Sequence, residues 1–301
     1  MSAAAVQSGS LGQGTSASVA RVGPGLAFPA SMVVLVIIMV PILMMFRYSF
    51  SPYDPIEIVK EGFTLDNYVK FFSDAYYLDV FLVTLKVALL CTVLALVMGF
   101  PVAYFLARTH TPFKSLLIIL LVFPLMVGNV VRAAGWMVVL GNAGAANALL
   151  KALGLIDEPV KLLYTPLAVV IGTTAVVLPF MILTLQSVLE GIDFSLEEAA
   201  RNLGASHATT FFRIIVPLAA PGVAAGTLLV FILCMNAYAT PVLLGGSGIT
   251  MMAPSLYGQI TKASNWPFGS AMALILVCAT LAIAVSSSWL IHRRYVRTMT
   301  T

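Results

Sequence analysis

Charge is what this sequence has least of: Asp, Glu, Lys and Arg make up only 9% of its 301 residues, against about 25% in an ordinary soluble domain. Cysteine is nearly absent. Cys91, Cys234 and Cys278 each sit inside an apolar stretch, where a free thiol acts as a small buried hydrophobe, and their spacing fits neither a disulfide framework nor a metal site. The three histidines, His110, His207 and His292, have no metal-ligand spacing and read as solvated residues. The sequence has no histidine cluster, activated nucleophile or carboxylate pair of the kind a membrane enzyme needs. It also lacks a G-x-x-x-x-G-K-[ST] phosphate loop, so it does not bind ATP in that manner. The basic residues never form a block, and a net charge of +4 therefore points to membrane orientation and not to a nucleic-acid partner.

What the chain has in abundance is apolar surface. Hydrophobic residues account for 60% of it, and the mean hydropathy is +1.01. Six long apolar runs, at about 26–49, 80–107, 115–140, 165–189, 218–244 and 268–291, are each long enough to cross about 30 Å of hydrocarbon. A bilayer offers backbone groups no water, so each run is predicted to be helical. The fold class is therefore an all-α integral membrane protein with six transmembrane helices. Residues 1–24, rich in Ser, Gly, Ala and Gln with Arg21 as the sole charge, are predicted to form a disordered tail ahead of a transmembrane domain at 25–301. The run from Leu26 to Phe46 is too long for a leader core and reads as a span. Pro41, Pro101, Pro124, Pro179 and Pro241 predict kinks.

Lysine and arginine set the expected orientation. With the N-terminus in the cytoplasm, Arg21, Arg108, Lys114, Arg201, Arg213, Arg293, Arg294 and Arg297 fall inside, and Lys60, Lys70, Lys151, Lys161 and Lys262 outside. The bias has the sign of the positive-inside rule. An even number of spans brings the C-terminus back to the cytoplasm.

The longest predicted inner loop, 190–217, carries the run L-E-G-I-D-F-S-L-E-E-A-A-R-N-L-G-A-S-H-A-T-T-F-F-R-I-I-V-P. Ser195 and Glu198 have the spacing of a capping box at a helix start. Ala199 and Ala200 keep one face small, Gly204 stands where a left-handed helix end is wanted, and Pro217 marks the return to the membrane. A short helix with a notched face suits docking to another protein. An ordinary loop helix in which Glu198 is only a cap fits the same residues equally well.

Glu198, Ala199, Ala200, Gly204, Ile214 and Pro217 resemble the EAA loop of binding-protein-dependent ABC importer permeases. Val216 replaces the family's usual leucine and keeps an apolar side chain. The likeness extends through F-T-L-D-N-Y at 63–68, G-F-P-V-A-Y-F-L-A-R at 99–108, V-V-R-A-A-G-W at 130–136, A-Y-A-T-P-V-L-L-G-G at 237–246 and N-W-P-F-G-S-A at 265–271, and is strongest to spermidine/putrescine-type permeases. This resemblance implies a type I importer fold in the bacterial inner membrane, paired with a second, related permease subunit. It also implies a periplasmic solute-binding protein and an ABC ATPase dimer that carries ATP and magnesium, with no cofactor in this chain. Glu198, Ala199, Ala200, Gly204 and Pro217 become the ATPase-coupling lever, with Arg201 and Arg213 as rim charges.

Four residues are candidates for the solute path. Arg132 near an end of the third span either snorkels to the interface, as Lys86 and Arg47 are read to do, or contacts solute with Trp136 one turn away. Asn236 and Tyr238 in the fifth span either line the path or bridge helices. The resemblance implies a polyamine solute, yet no acid falls inside any predicted span and Ala237 stands where some polyamine permeases carry one. The acids would then come from the partner permease or from Asp74 and Asp79 in the first outer loop. An amino-acid-like zwitterion or organophosphonate is the alternative solute, and an ion-coupled secondary transporter the alternative class.

Overall fold

The computed structural model describes residues 14–246 and 248–299, with side chains described at 28, 29, 31–246 and 248–287. Residues 1–13 of the expected tail lie outside this range, as do Thr300 and Thr301. Helix α1 runs Gly14–Ser49 and so enters the segment predicted to be unstructured. Once an apolar run is helical, extending it by a turn or more no longer bears the cost of nucleation. A small β-hairpin (β1 Tyr53–Asp54, β2 Ile58–Val59) and α2, Asp66–Ser73, lead into α3, Ala75–Arg108. Asn67 and Tyr68 of the F-T-L-D-N-Y stretch tie this connection down: the Asn67 amide donates to the Ser49 and Ser51 carbonyls, and the Tyr68 hydroxyl to Ser49 Oγ at 2.8 Å.

The third run is not one helix. It forms α4, Lys114–Met126, and α5, Asn129–Leu140, separated at Val127 and Gly128. Pro124 lacks an N–H and disturbs the last turn of α4, and Val127 and Gly128 then adopt extended backbone. Helix α6, Ala145–Ala152, precedes α7, Pro166–Glu190. After it come α8, Ser195–Asn202, and α9, His207–Thr210, which continues through a π-helical turn at Phe211–Ile215 into α10, Val216–Leu218. Pro217 explains the wide turn. Its ring displaces the preceding carbonyls, and Val216 N–H reaches back to Phe211 instead.

A bend of 66° separates 207–218 from α11, Ala220–Met235. The fifth run is thus interrupted twice, at Ala219 and again after Met235, before a second π-helical turn at Pro241–Gly245. Helix α12, Met252–Thr261, lies in the stretch between the fifth and sixth apolar runs, which composition alone leaves as a loop, and α13, Trp266–Met299, follows. Among the described residues five helices are long and apolar enough to cross a membrane, or up to six if the bent pair counts as one span.

The core is the packing of α3, α7 and α11, with α13 joined to α1, α11 and α12. Small residues make the close approach possible. Ala88, Cys91, Ala95 and Ala103 recur every three to eight positions on α3 and are each 0% exposed, and Gly99 lies on the same seam against Met181 and Ile182 of α7. In a bilayer, where lipid tails are as apolar as leucine, such seams carry helix association through close packing. Gly222 of α11 is equally tight: a Cβ there would stand 2.8 Å from Val188 Cβ. Gly222→Val is expected to cost about 1–3 kcal/mol by overpacking. A lowered thermal midpoint of the purified chain would show it, and an unchanged one would disprove this contact. One polar tie crosses the bundle where Thr84 Oγ1 accepts the first N–H of α12 from Met252 at 2.8 Å.

Candidate functional site

The predicted coupling element is α8 with its flanks, and the structure changes how it is held. The capping box does not form. Ser195 is the first helical residue and its side chain caps nothing; Asp193 Oδ1 accepts the Ser195 N–H at 2.9 Å instead. That hydrogen bond and the Ser195 hydroxyl hold the Asp193 carboxyl below the usual carboxylate range. The cap is therefore fully present above the ordinary carboxylate pKa and is lost as pH falls through the lowered folded value. The far end agrees with expectation. Gly204 has φ +84°, and the Gly204 and Ala205 N–H groups bond back to the Arg201 and Ala200 carbonyls, closing the helix in the left-handed manner glycine permits.

The buried anchor of this helix is a residue the sequence reading passed over. Glu197, not Glu198, points inward, with its side chain 1% exposed. Its Oε1 accepts from Arg108 Nε at 2.7 Å and its Oε2 from the Tyr104 hydroxyl at 2.7 Å. Arg108 also donates to the Ile192 carbonyl at 3.0 Å and lies over the Phe194 ring. Arg201, read as a rim charge, approaches Glu197 Oε2 at 3.8 Å. Together these contacts fasten α8 to the end of α3. Arg108 was read only as an orienting charge, and no signal within the loop identified its partner 89 residues away.

Glu198 and Ala199 are exposed, whereas Ala200 is buried within this chain and does not belong to an open notch. The open surface of α8 is mixed: Leu196, Ala199 and Leu203 follow one another at three- and four-residue spacing, with Leu203 89% exposed, beside the exposed Glu198, Arg201 and Asn202. Phe212, Arg213 and Pro217 on the next helical segment are exposed as well. A second, weaker tie joins Lys114 to Glu190 at 2.8 Å. Both are substantially exposed, so this pair contributes little.

The four path candidates fall into two pairs on neighbouring elements. Arg132 and Trp136 lie on α5, which packs against the π-helical turn at 241–245. Asn236 and Tyr238 lie just before that turn. Arg132 Nη2 bonds Asn129, while its Nε and Nη1 are shielded from solvent without a protein partner. Asn236 turns back to the Ile232 carbonyl at 2.9 Å. Tyr238 packs on Tyr257 of α12 with ring centroids 4.9 Å apart, and both rings are partly open to the outside. Tyr257 was missed because α12 was read as loop. No hydrogen bond or ring contact among the described residues joins Arg132 or Trp136 to Asn236 or Tyr238.

The acids of the first outer loop also move. Asp74 caps α3, accepting the Tyr76 N–H at 2.9 Å. Asp79 lies in the first turns of α3, which begins at Ala75, just ahead of the predicted span at 80–107. Among the described residues no group of three or more His, Cys, Asp or Glu side chains is arranged to hold a metal.

Residues 92–296 match the family described as binding-protein-dependent transport system inner membrane component. The chain is 38% identical over 257 residues to the spermidine/putrescine transport system permease protein PotB of Salmonella typhimurium, covering 85% of this chain and 88% of that protein. The Escherichia coli protein of the same name is 39% identical over 239 residues, covering 79% and 86%. Among solved structures, a chain of a bacterial ABC transporter that imports alginate superposes with a TM-score of 0.76 at 15% identity, covering 92% of this chain and 98% of that one. That likeness carries the fold. The chain therefore belongs to the family of inner-membrane components of binding-protein-dependent transport systems, as a multi-pass, non-catalytic permease subunit of an importer.

Proposed function

We propose that this permease forms half of a translocation path for a polyamine such as spermidine or putrescine. The observation that carries the reading is the identity of 38% over 85% of the chain to permeases named for those solutes. The Tyr238–Tyr257 pair supports it, since two partly exposed aromatic faces suit an alkylammonium group. The proposed partners are a second, related permease subunit, a periplasmic binding protein, and an ABC ATPase dimer that supplies ATP and Mg²⁺ chemistry. The N- and C-termini are proposed to face the cytoplasm. Family membership removes the ion-coupled alternative.

Docking of the ATPase is assigned to the outward side of α8. Leu196, Ala199 and Leu203 supply apolar contact, and Glu198 and Arg213 a charged rim. An isolated loop helix buries its largest apolar side chains; here Glu197 and Ala200 are buried while Leu196 and Leu203 are left open. That inversion is what a surface awaiting a partner requires.

Arg132 favours a second reading of the solute. Two of its guanidinium nitrogens are shielded and without a partner, which suits the carboxylate or phosphonate of a small zwitterion. One experiment decides between them: ATP hydrolysis by the reconstituted importer, stimulated by binding protein loaded with spermidine, with putrescine or with amino-acid-like compounds. Stimulation by polyamines is the expected result. Indifference to them with a response to a zwitterion would reject the polyamine.

A further inference from the structure

Tyr76, Asp79 and Lys86 occupy one face of α3 and line a cavity of about 530 Å³ between α3, the start of α7 at Pro166, and the turn at 248–250. All three are exposed, and among the described residues neither Asp79 nor Lys86 has an ion-pair or side-chain hydrogen-bond partner. The coupling element uses none of them, and of the residues weighed for the solute only Asp79 falls here.

Their depth is informative. Helix α3 has 34 residues and is about 51 Å long at 1.5 Å per residue. The hydrocarbon is about 30 Å thick, so the first turns of α3, with Tyr76 and Asp79, stand at headgroup level. Lys86 lies about 10 Å further along the axis, within the hydrocarbon edge, from which a lysine reaches back toward the headgroups. Below it the same face continues as Leu89, Leu90, Val93 and Val97, all exposed.

We propose that this cavity is a binding site for a zwitterionic phospholipid with an ammonium headgroup, exemplified by phosphatidylethanolamine. The ammonium meets the Asp79 carboxylate and the Tyr76 ring, the outermost of the three groups. The phosphate, which lies deeper in a bilayer than the ammonium, meets the Lys86 ammonium from below. An acyl chain follows Val83, Val87 and the apolar stripe beneath. Lys86 at the hydrocarbon edge is costly without a partner, and a zwitterion whose charges are ordered in the same sense along the membrane normal satisfies it and Asp79 together. A purely anionic headgroup satisfies Lys86 and leaves Asp79 opposed. The proposal rests on the family membership that sets α3 across the membrane, and it assigns Asp79 to a lipid headgroup in place of the solute.

The test is native mass spectrometry of the full chain, isolated from membranes with the subunits that co-purify and exposed to phosphatidylethanolamine or phosphatidylglycerol. One phosphatidylethanolamine retained per chain is expected, with its loss in the Asp79→Asn, Lys86→Gln double variant. Retention of that lipid by the double variant, or equal retention of phosphatidylglycerol by the unaltered chain, would overturn the proposal. A photoreactive residue at Val83 provides a second readout in a chain with its charges intact. A lipid adduct supports the site, whereas capture of the second permease subunit shows that protein covers this face and rejects it.

Discussion

Glu197→Ala is expected to uncouple and destabilise the protein more than any other single change in the 190–217 loop. It leaves Arg108, which is 14% exposed in its side chain, without its carboxylate, and it strips the Tyr104 hydroxyl of its acceptor. Removing one partner of a buried ion pair costs about 3–5 kcal/mol, because the surviving charge stays desolvated. Uptake should fall to background, with the chain degraded or melting earlier. Two further variants separate charge from shape. Glu197→Gln keeps a carbonyl for Tyr104 and should recover part of the stability. Replacing both partners at once, Arg108→Met with Glu197→Leu, removes the stranded charge and should be far milder than the single change, since apolar substitutes for a buried pair are often neutral. Should Glu197→Ala transport and melt as the unaltered chain does, the anchor has been misjudged.

Replacement of Gly204 is the second large effect, and here two causes must be told apart. A side chain at φ +84° is strained by about 1–2 kcal/mol for most residues, whether or not anything docks. Among the described residues, and apart from its own chain neighbours, no atom lies within 4 Å of a Cβ built at that position, so bulk there meets nothing internal. Gly204→Leu should abolish uptake and solute-stimulated ATP hydrolysis while the chain still inserts in the membrane. Gly204→Asn relieves most of the backbone strain, since asparagine tolerates the left-handed region, but still adds bulk to the docking side. Loss of transport in both variants locates the effect at the docked partner. Full transport by Gly204→Leu would falsify the coupling role of this turn.

The helices and the placement of the lever loop could be read directly, because both depend on local composition. The breaks inside the helices were harder. Pro124 and Pro217 both announced distortion, but whether a proline yields a kink, a π-helical turn or a full break depends on which neighbours can take up the freed carbonyls. The motif stretches were visible as text, while their roles appeared only in three dimensions. Asn67 closes the turn after α1, and Asn265 accepts the Phe268 N–H to start α13.

The lever helix shows where local reasoning fails. In S-L-E-E-A-A-R-N-L-G the apolar positions Leu196, Ala199 and Leu203 form the stripe that an amphipathic helix turns toward its core. The structure turns it outward and buries Glu197. Adjacent residues on a helix point about 100° apart, so nothing within the E-E pair decides which carboxylate faces α3. Arg108 and Tyr104, about ninety residues earlier in the chain, decide it.

By itself the sequence determined the membrane class, the approximate spans and the position of the 190–217 loop, because a solvent without hydrogen bonds leaves an apolar run almost no choice but a helix. Only the tertiary structure decided that Glu197 is the anchor, that Tyr257 meets Tyr238, and that Asp79 and Lys86 share one cavity. Each of those is a relation between side-chain directions, or between segments far apart in the chain, and local pattern carries no information about either.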